Sequence, residues 1–545
     1  MIRLKGGRII DPVRSRDEIG DVWIDGGHIV AAPRGAHAHE THDLAGRIVM
    51  AGAIDIHSHI AGGNVNTARL MLPEQHKAHA ARPSSTPLSE LGWSTSDTGR
   101  LYAQMGFTTV VEPAVVPSHA LHAHLELSDI PIIDKAGLTV LGNDDFVLKL
   151  MRDRQGKAAL ADYVAHMVAT TRSLGVKCIN AGGAAAFKDN VRAFGLDDEV
   201  PGTGLTSRAI VTALQDATAR LGIPHPLHVH CNNLGMPGAA EVALATMEAA
   251  GDLPMHFAHI QFYTYGTEGS RGFSSAAGRI AEAVNARKTV TVDIGQVMFG
   301  QTVTVSCDVI LQYKSRATAH PRKWTLWDGM GDGGGVVPYL YKPSSYHNAL
   351  QWAIGLELFL LIEDPWRVFF TTDHPNGAPF TTYPEIFALL MDRDLRAEWI
   401  ARLPASAMET TTLPSITREY TLNDIAVMTR AAPARLLGLT DRGHLGEGGI
   451  ADISVYTEQK DKAAMFRAAD LVFKSGTLVV RDGRVVAEPY GRALTLDLPA
   501  PRQMADRLEA FHQATYGLSA RYFSVPEAAI GRANPFETVP CASSR

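Results

Sequence analysis

Two histidines, His57 and His59, stand two residues apart at the end of an apolar run that closes on Asp55. Alternate side chains of a β-strand project from the same face, about 6.5 Å apart at Cα. Two imidazoles placed in this way can bind one metal ion at roughly 2.0–2.1 Å. The pair could equally be two solvated histidines where a strand enters a loop, so its chemistry depends on the residues that meet it.

Further polar residues stand at or near the ends of other β-type runs. They are Lys177, His228, His230, His259 and Asp373. If the runs form a parallel barrel, their C-terminal ends meet at one rim. Each residue alone has an ordinary explanation, such as a solvated lysine or a turn-forming aspartate, but together they predict one shared site. Since His228 and His230 share a strand face, we prefer the one nearer the strand end, His230.

These residue types suit a hydrolytic centre with two divalent ions. Four imidazoles and Asp373 supply ligands, and a neutral Lys177 amine could take up CO₂ as a carbamate that bridges the ions. Burial beside Val176 and Ile179 favours the neutral amine. A divalent ion can lower the pKa of water from 15.7 to about 7, and Asp373 could then take a proton from that water and pass it to a leaving amine. The predicted reaction is hydrolysis of a C–N bond.

The elements that must position these residues alternate strands with amphipathic helices between residues 53 and 400. Eight runs qualify as strands, namely "GAIDIHSH", "FTTVVEPA", "LTVLGND", "GVKCINAGG", "PLHVHCNN", "MHFAHIQF", "TVTVDIG" and "VFFTTDHP". Repeated βα units predict a parallel sheet, and eight of them predict a closed barrel. Both ends of the chain instead alternate short strands with Gly-rich turns, which predicts one small β-domain built from the two termini.

The predicted fold class is therefore α/β, with a (β/α)8 TIM barrel and a small composite β-sandwich domain formed from both termini. We assign residues 1–52 and 426–495 to the β-domain and residues 53–425 to the barrel. Residues 496–545 are assigned to a C-terminal helix and tail. Beyond the helix, we expect the tail to be irregular, and either disordered or held by a partner.

The composition excludes several classes of partner. The chain has 545 residues, of which 46% are hydrophobic and 20% charged, and its formal net charge is −6. This mild negative charge gives no support to a nucleic-acid or anionic-membrane partner, either of which favours a basic face. The four cysteines are widely spaced, and the N-terminus lacks a signal-peptide core. We therefore expect a reduced, cytoplasmic protein.

The order of these motifs resembles the amidohydrolase superfamily, with "GAIDIHSH" and "GHLGEGGIADISVY" near its two ends. Within the superfamily, the chain is similar to the A subunits of formylmethanofuran dehydrogenases and of bacterial formyltransferase/hydrolase complexes. The closer similarity lies in "SHIAGGNVNTARLMLPEQH", "HVHCNNLGMPG", "LPMHFAHIQFYTYG", "VVPYLYKPSSYHNALQWAIGLELFLLIEDPWRVFFTTDHPNGAPFTTYPE" and "DIAVMTRAAPARLLGLTDRGHLGEGGIADI".

The resemblance implies a binuclear zinc centre at the barrel rim. Its ligands would be His57, His59, Lys177, His230, His259 and Asp373. Lys177 would be the carboxylated bridge, and Asp373 would also be the catalytic base. The implied reaction converts N-formylmethanofuran and water into formate and methanofuran, the C1 carrier, in one-carbon metabolism (formaldehyde oxidation). The implied partners are the other subunits of a formyltransferase/hydrolase complex, including a formyltransferase subunit.

Five polar residues just past the predicted ligands could bind the substrate or order the rim. They are Asn64, Asn66, Arg69, Asn232 and Asn233. Three other functions stay open: the corresponding subunit of a CO₂-reducing formylmethanofuran dehydrogenase, another binuclear-zinc amidohydrolase that acts on a cyclic ureide or an N-acyl amino acid, and a non-catalytic scaffold. Retention of every expected ligand type argues against the scaffold.

Overall fold

The structure is a computed structural model that describes residues 1–32, 35, 37–71, 95–189, 191, 194–305, 317, 318, 320, 336–499, 501–530 and 535–541. Within the predicted barrel, residues 72–94 and most of residues 306–335 lie outside the described part of the chain. All of the predicted site residues lie within it.

Eight parallel strands form the central sheet. They are β1 Ala53–Asp55, β2 Phe107–Val115, β3 Asp134–Val140, β4 Gly175–Ile179, β5 Leu227–His230, β6 Met255–Phe257, β7 Val290–Asp293 and β8 Val368–Phe369. They pair in chain order, and a bridge between Ser58 and His374 joins the segments that follow β1 and β8. Every predicted run overlaps one of these strands, so the expected α/β barrel architecture is confirmed.

Helices cover the outside of this sheet, because parallel strands with apolar residues on both faces must be packed on both sides. Thr206 caps the helix Ser207–Arg220 by accepting a hydrogen bond from the Ala209 amide at 3.2 Å. A buried helix spans Tyr346–Leu361 and ends before Asp364 and Pro365.

The remaining α-helices within the described residues vary from four to fifteen residues in length. They are Gly63–Met71, Thr95–Gln104, Ala120–Asp129, Asp145–Arg152, Gly156–Thr170, Gly183–Lys188, Ala239–Ala249, Ala277–Ala286, Tyr383–Met391, Arg393–Ile400, Ala405–Met408, Leu422–Ala426, Ala432–Leu437, Lys462–Arg467, Arg502–Tyr516 and Glu527–Ile530. A π-helical turn, Val427–Ala431, joins two of them. None of the helices in the described ranges is both long enough and apolar enough to cross a membrane.

A second sheet of nine strands combines the two ends of the chain. Its strands are Ile2–Asp11, Arg16–Asp25, His28–Val30, Glu40–Asp43, Arg47–Ala51, Ile453–Thr457, Leu471–Lys474, Thr477–Arg481 and Arg484–Val485. Val455 pairs with Val49 in an antiparallel register, which joins the C-terminal strands to the N-terminal ones. The sheet has its own apolar core, so the expected composite β-domain is confirmed.

The last part of the chain returns to the barrel. The predicted helix spans Arg502–Tyr516, and the strands Ala493–Leu496 and Phe536–Val539 pair in parallel beside β3. The expectation of an irregular tail is therefore wrong for residues 536–539. The four-residue run "FETV" lies between two prolines, and its pairing partner is some forty residues away, so local periodicity does not reveal the strand.

Charged residues are buried where the β-domain meets the barrel. Asp134 of β3 lies 2.9 Å from the Arg442 Nε and 2.8 Å from the Lys474 Nζ, and Lys474 also lies 2.6 Å from Asp452. Each of these charges faces an opposite charge at hydrogen-bond distance. We call these four residues the seam cluster.

Candidate metal centre

The end of β1 is fixed by a buried carboxylate. Asp55 accepts hydrogen bonds from the hydroxyls of Tyr102 at 2.7 Å and Tyr383 at 2.6 Å, and from the His57 amide at 3.0 Å. Burial raises the pKa of Asp55, and these donors partly oppose that effect. These hydrogen bonds fix the backbone at the end of β1, where the His57 side chain begins.

His57, His59 and Asp373 converge at the barrel rim. The Asp373 Oδ1 lies 3.0 Å from the His57 Nε2 and 3.3 Å from the His59 Nε2. Asp373 has a φ of 51°, in the left-handed region, at the sharp turn that follows β8. The turn brings the carboxylate over the end of β1, because the His59 amide donates to the His374 carbonyl at 2.9 Å across the same join.

Lys177, His230 and His259 complete the cluster from three other strand ends. The Lys177 Nζ lies 3.5 Å from the His57 Nε2. The His259 ring centroid lies 5.3 Å from that of His57 and 4.7 Å from that of His230. All six predicted side chains are thus brought together, and each is at most 8% exposed.

The donor set fits a metal centre. Ligand atoms of His57, His259 and Asp373 all lie within 4.8 Å of one another. The His259 Nδ1 is buried without a hydrogen-bond partner in the part of the chain that the structure describes. Buried polar atoms normally have a hydrogen-bond partner, so an imidazole nitrogen without one, beside a carboxylate, is typical of a metal ligand.

Burial and neighbouring charges shift the pKa values in this cluster. Burial lowers the pKa of the Lys177 amine to about 8, although Asp373, Asp293 and Glu112 oppose that shift. Burial also lowers the pKa of His259 to about 3, which keeps this imidazole neutral. Burial alone would raise the pKa of Asp373, but the adjacent histidines outweigh it and hold the pKa well below the usual range. A neutral His259 and an ionised Asp373 are in the protonation states that metal binding needs. Burial alone would lower the pKa of His59, but Glu112 and Asp373 outweigh it and raise that pKa to about 9, so a metal ion that binds this imidazole must displace a proton.

The structure separates the two histidines of β5. His230 lies at the rim beside His259, whereas His228 lies one pleat deeper, with its Nε2 3.0 Å from the His57 Nδ1 and its Nδ1 2.9 Å from the His225 Nε2. His228 therefore faces the nitrogen of His57 that points away from Asp373. His230 remains our choice of ligand.

Two carboxylates that the sequence does not single out support the His-x-His pair. Glu112 of β2 lies 3.0 Å from the His59 Nδ1, and Asp293 of β7 lies 3.0 Å from the His57 Nδ1. Both are fully buried. Each is a single acid inside an apolar strand, with no spacing pattern beside it. The one usable signal is an acid at the end of a predicted buried strand, as in "TVTVDIG".

Hydrogen bonds to protein groups are made by Arg69, Asn66 and Asn232, all of them suggested substrate-binding residues. Arg69 donates to the Ile60 carbonyl at 2.6 Å and to the Asn66 Oδ1 at 2.5 Å, and Asn66 also donates to Glu126. Asn232 donates to the Ser207 hydroxyl at 3.1 Å. These contacts favour the alternative that they order the rim. Asn64 and Asn233 stay predictions.

An amidohydrolase is the class of protein that this barrel and its rim define. A sequence profile of the amidohydrolase family matches residues 40–487, and the chain belongs to that family.

Two relatives match over nearly the whole chain. The chain is 51% identical to the A subunit of the formyltransferase/hydrolase complex Fhc of Methylorubrum extorquens, with 99% of this chain and 100% of that protein covered. It is 38% identical to "Protein FwdA" of Methanocaldococcus jannaschii, with 91% and 90% covered. The crystal structure of the formyltransferase/hydrolase complex (FhcABCD) from Methylorubrum extorquens, in complex with methylofuran, superposes with a TM-score of 0.94 at 51% identity, covering 99% of this chain and 100% of that chain. The expected resemblance is confirmed.

Proposed function

We propose that this chain is the hydrolase subunit of a formyltransferase/hydrolase complex and that it cleaves the formamide C–N bond of a formylated methanofuran-type carrier. Its products would be formate and the free amine of the carrier. The observation that carries the proposal is the convergence of His57, His59, Lys177, His230, His259 and Asp373 in one buried cluster.

Similarity to known proteins supports the choice of substrate and partners. The Methylorubrum extorquens relative belongs to a complex whose crystal structure contains methylofuran. The identity to that relative, 51%, exceeds the 38% identity to Protein FwdA. We therefore favour assembly with a formyltransferase subunit over the alternative of a CO₂-reducing dehydrogenase.

The donor set would hold two zinc ions, for which Lys177 would serve as a carboxylated ligand. The four histidines would supply neutral imidazole nitrogens, and Asp373 would supply a carboxylate oxygen. When bound, the ions would supply Lewis acidity toward the formyl oxygen and toward a water molecule.

The chain's own residues would move the proton. Asp373 lies at the rim, ionised and within 3.3 Å of two histidine nitrogens, where it can accept a proton from the attacking water. It can then deliver that proton to the nitrogen of the carrier as the C–N bond breaks. Burial of the cluster excludes bulk water and strengthens each of these interactions.

The proposal is tested with the full-length chain, purified together with the subunits that accompany it. We expect about two zinc ions per chain, as a binuclear centre requires, and release of formate from N-formylfurfurylamine, a mimic of the carrier. Hydantoin is the matched control substrate, because amidohydrolases that open cyclic ureides would act on it. Metal-free protein that hydrolyses the mimic, or turnover of hydantoin alone, would contradict the proposal.

A further inference from the structure

One carboxylate below the rim touches three of the segments that carry predicted ligands. The Asp293 Oδ2 lies 3.0 Å from the His57 Nδ1 and 3.1 Å from the His256 Nε2. Its Oδ1 accepts from the His259 amide at 2.8 Å and from the Thr371 hydroxyl at 2.7 Å. The side chain is fully buried.

The groups around Asp293 require an acceptor without a proton. The His259 amide and the Thr371 hydroxyl both donate to one oxygen, and two imidazole nitrogens face the other. An ionised carboxylate offers only acceptors. The amide of asparagine would instead place its NH₂ group against either the two donors at Oδ1 or the two imidazole nitrogens at Oδ2. Asparagine therefore has the shape of Asp293 without its bonding capacity.

The contact with His57 favours one tautomer of that ring, because an ionised Asp293 can only accept. The His228 Nε2, also 3.0 Å from the His57 Nδ1, can either accept or donate. A neutral imidazole has one N–H donor and one lone pair. If the His57 Nδ1 carries the proton and donates it to Asp293, the lone pair lies on Nε2, which faces Asp373 and Lys177. Metal-binding histidines usually donate their second nitrogen to a carboxylate in this way.

The contact with His259 holds a strained backbone. His259 has a φ of 32°, in the left-handed region, which is unfavourable for a non-glycine residue. It packs so closely on Gly295 that a Cβ at that glycine would lie 2.4 Å from the His259 Cβ. The Asp293 oxygen satisfies the amide of this turn, and Thr371, on the same oxygen, lies two residues before Asp373.

We propose that Asp293 is a positioning residue that sets the tautomer of His57 and the backbone of His259, and so holds ligands on both sides of the centre. The inference rests on the proposed metal site and deepens it. Glu112 provides the contrast, because it bonds the side chain of His59 and the amides of Ile60 and Ala61, which belong to one segment.

The test compares zinc retention in full-length Asp293→Asn, Glu112→Gln and Asp134→Asn. Aliquots are titrated with a zinc chelator, and bound zinc is measured by mass spectrometry of the metal. We expect Asp293→Asn to bind both ions about 10- to 100-fold more weakly, in line with other carboxylates behind metal ligands. Glu112→Gln should weaken one ion more than the other. Asp134→Asn, a buried carboxylate in the seam cluster, should unfold at a lower temperature yet retain zinc like the wild type.

Two results would overturn the inference. One is wild-type zinc retention in folded Asp293→Asn. The other is measured on the wild type and therefore does not depend on whether the variant folds. It is an NMR spectrum of zinc-loaded, ¹⁵N-histidine-labelled protein, in which the His57 signal is assigned as the one missing in His57→Gln. A His57 proton on Nε2 in that spectrum would contradict the proposed tautomer. Wild-type protein without zinc would instead refute the proposed metal centre.

Discussion

Two buried lysines, Lys177 at the rim and Lys474 in the seam cluster, have opposite electrostatic surroundings. They are 1% and 3% exposed. Lys474 lies within 2.8 Å of Asp134 and 2.6 Å of Asp452, which outweigh the effect of burial and raise its pKa. Lys177 has a histidine nitrogen at 3.5 Å, and burial lowers its pKa to about 8. Equal burial is thus compatible with a raised pKa in one place and a lowered pKa in the other.

A third lysine shows that a lowered pKa alone does not make a site. Lys135 of β3 is fully buried, its Nζ donates to the Ile130 carbonyl at 2.9 Å, and burial lowers its pKa to about 7. This amine bonds to a backbone carbonyl, whereas Lys177 lies among imidazoles and Asp373. What distinguishes Lys177 from Lys135 is therefore its place among potential ligand atoms, and not its lowered pKa.

Asp373→Asn should have the largest effect and tests whether the rim is catalytic. Removing the proton acceptor should lower kcat by about 10²–10⁴-fold. Asp373 raises the pKa of Lys177, so its loss should lower that pKa further and favour the neutral amine. The variant should therefore keep most of its metal. Formate release and zinc content measured on the same sample check both statements, and full activity would exclude Asp373 as the base.

Lys177→Ala should break the metal centre and leave the fold intact. We expect zinc affinity to fall by more than about 10-fold, because the carbamate bridge is lost. A small carboxylate such as acetate should restore part of it by occupying the vacated space. Thermal unfolding of the metal-free forms is the control and should match the wild type. Wild-type zinc content without added carboxylate would show that Lys177 is not the bridge.

Lys474→Met should destabilise the fold and leave the metal centre intact. Removing one partner of a buried ion pair lowers the free energy of unfolding by about 3–5 kcal/mol, since Asp134 and Asp452 lose a counter-charge. Zinc content per folded chain should stay unchanged. Urea unfolding with parallel metal analysis measures both quantities. Loss of zinc at a temperature where the variant is folded would contradict the separation between the seam cluster and the rim.

Lys135→Met should have the smallest effect, and it should stabilise the protein. We expect the free energy of unfolding to rise by about 1–2 kcal/mol at pH 7, because a poorly solvated cation is removed. The pKa of Lys135 falls from 10.5 in the unfolded chain to about 7 in the folded one. The unfolded wild type therefore binds more protons between these values, and its stability rises with pH across that window. The advantage of the variant should shrink from pH 7 to pH 10, as measured by urea unfolding at each pH. An advantage that is independent of pH would show that Lys135 is not responsible.

The barrel and the residues at its rim were predictable because they follow simple rules. Each of the eight strands was an apolar run of strand length, and polar residues at strand ends must meet at one edge of a parallel sheet. His57, His59, Lys177 and Asp373 were found in this way. The choice between His228 and His230 needed depth along the strand, which alternation alone does not provide.

The supporting residues were not predictable for an equally physical reason. Asp293 and Glu112 act through contacts with residues 236 and 53 positions away in the chain. The contacts of Asn66 and Arg69 with Glu126 and Ile60 likewise appear only after folding. Sequence spacing reports which residues share a face of one element, whereas these partners belong to different elements.

A bridge between Ser58 and His374 closes the barrel, and residues on both sides of that join, His59 and Asp373, approach each other to 3.3 Å. A metal ion bound by these two side chains would therefore also connect the first and last strands of the barrel. Zinc bound there would add a link between strands that the backbone already joins, so the zinc-loaded protein should unfold at a higher temperature than the metal-free protein.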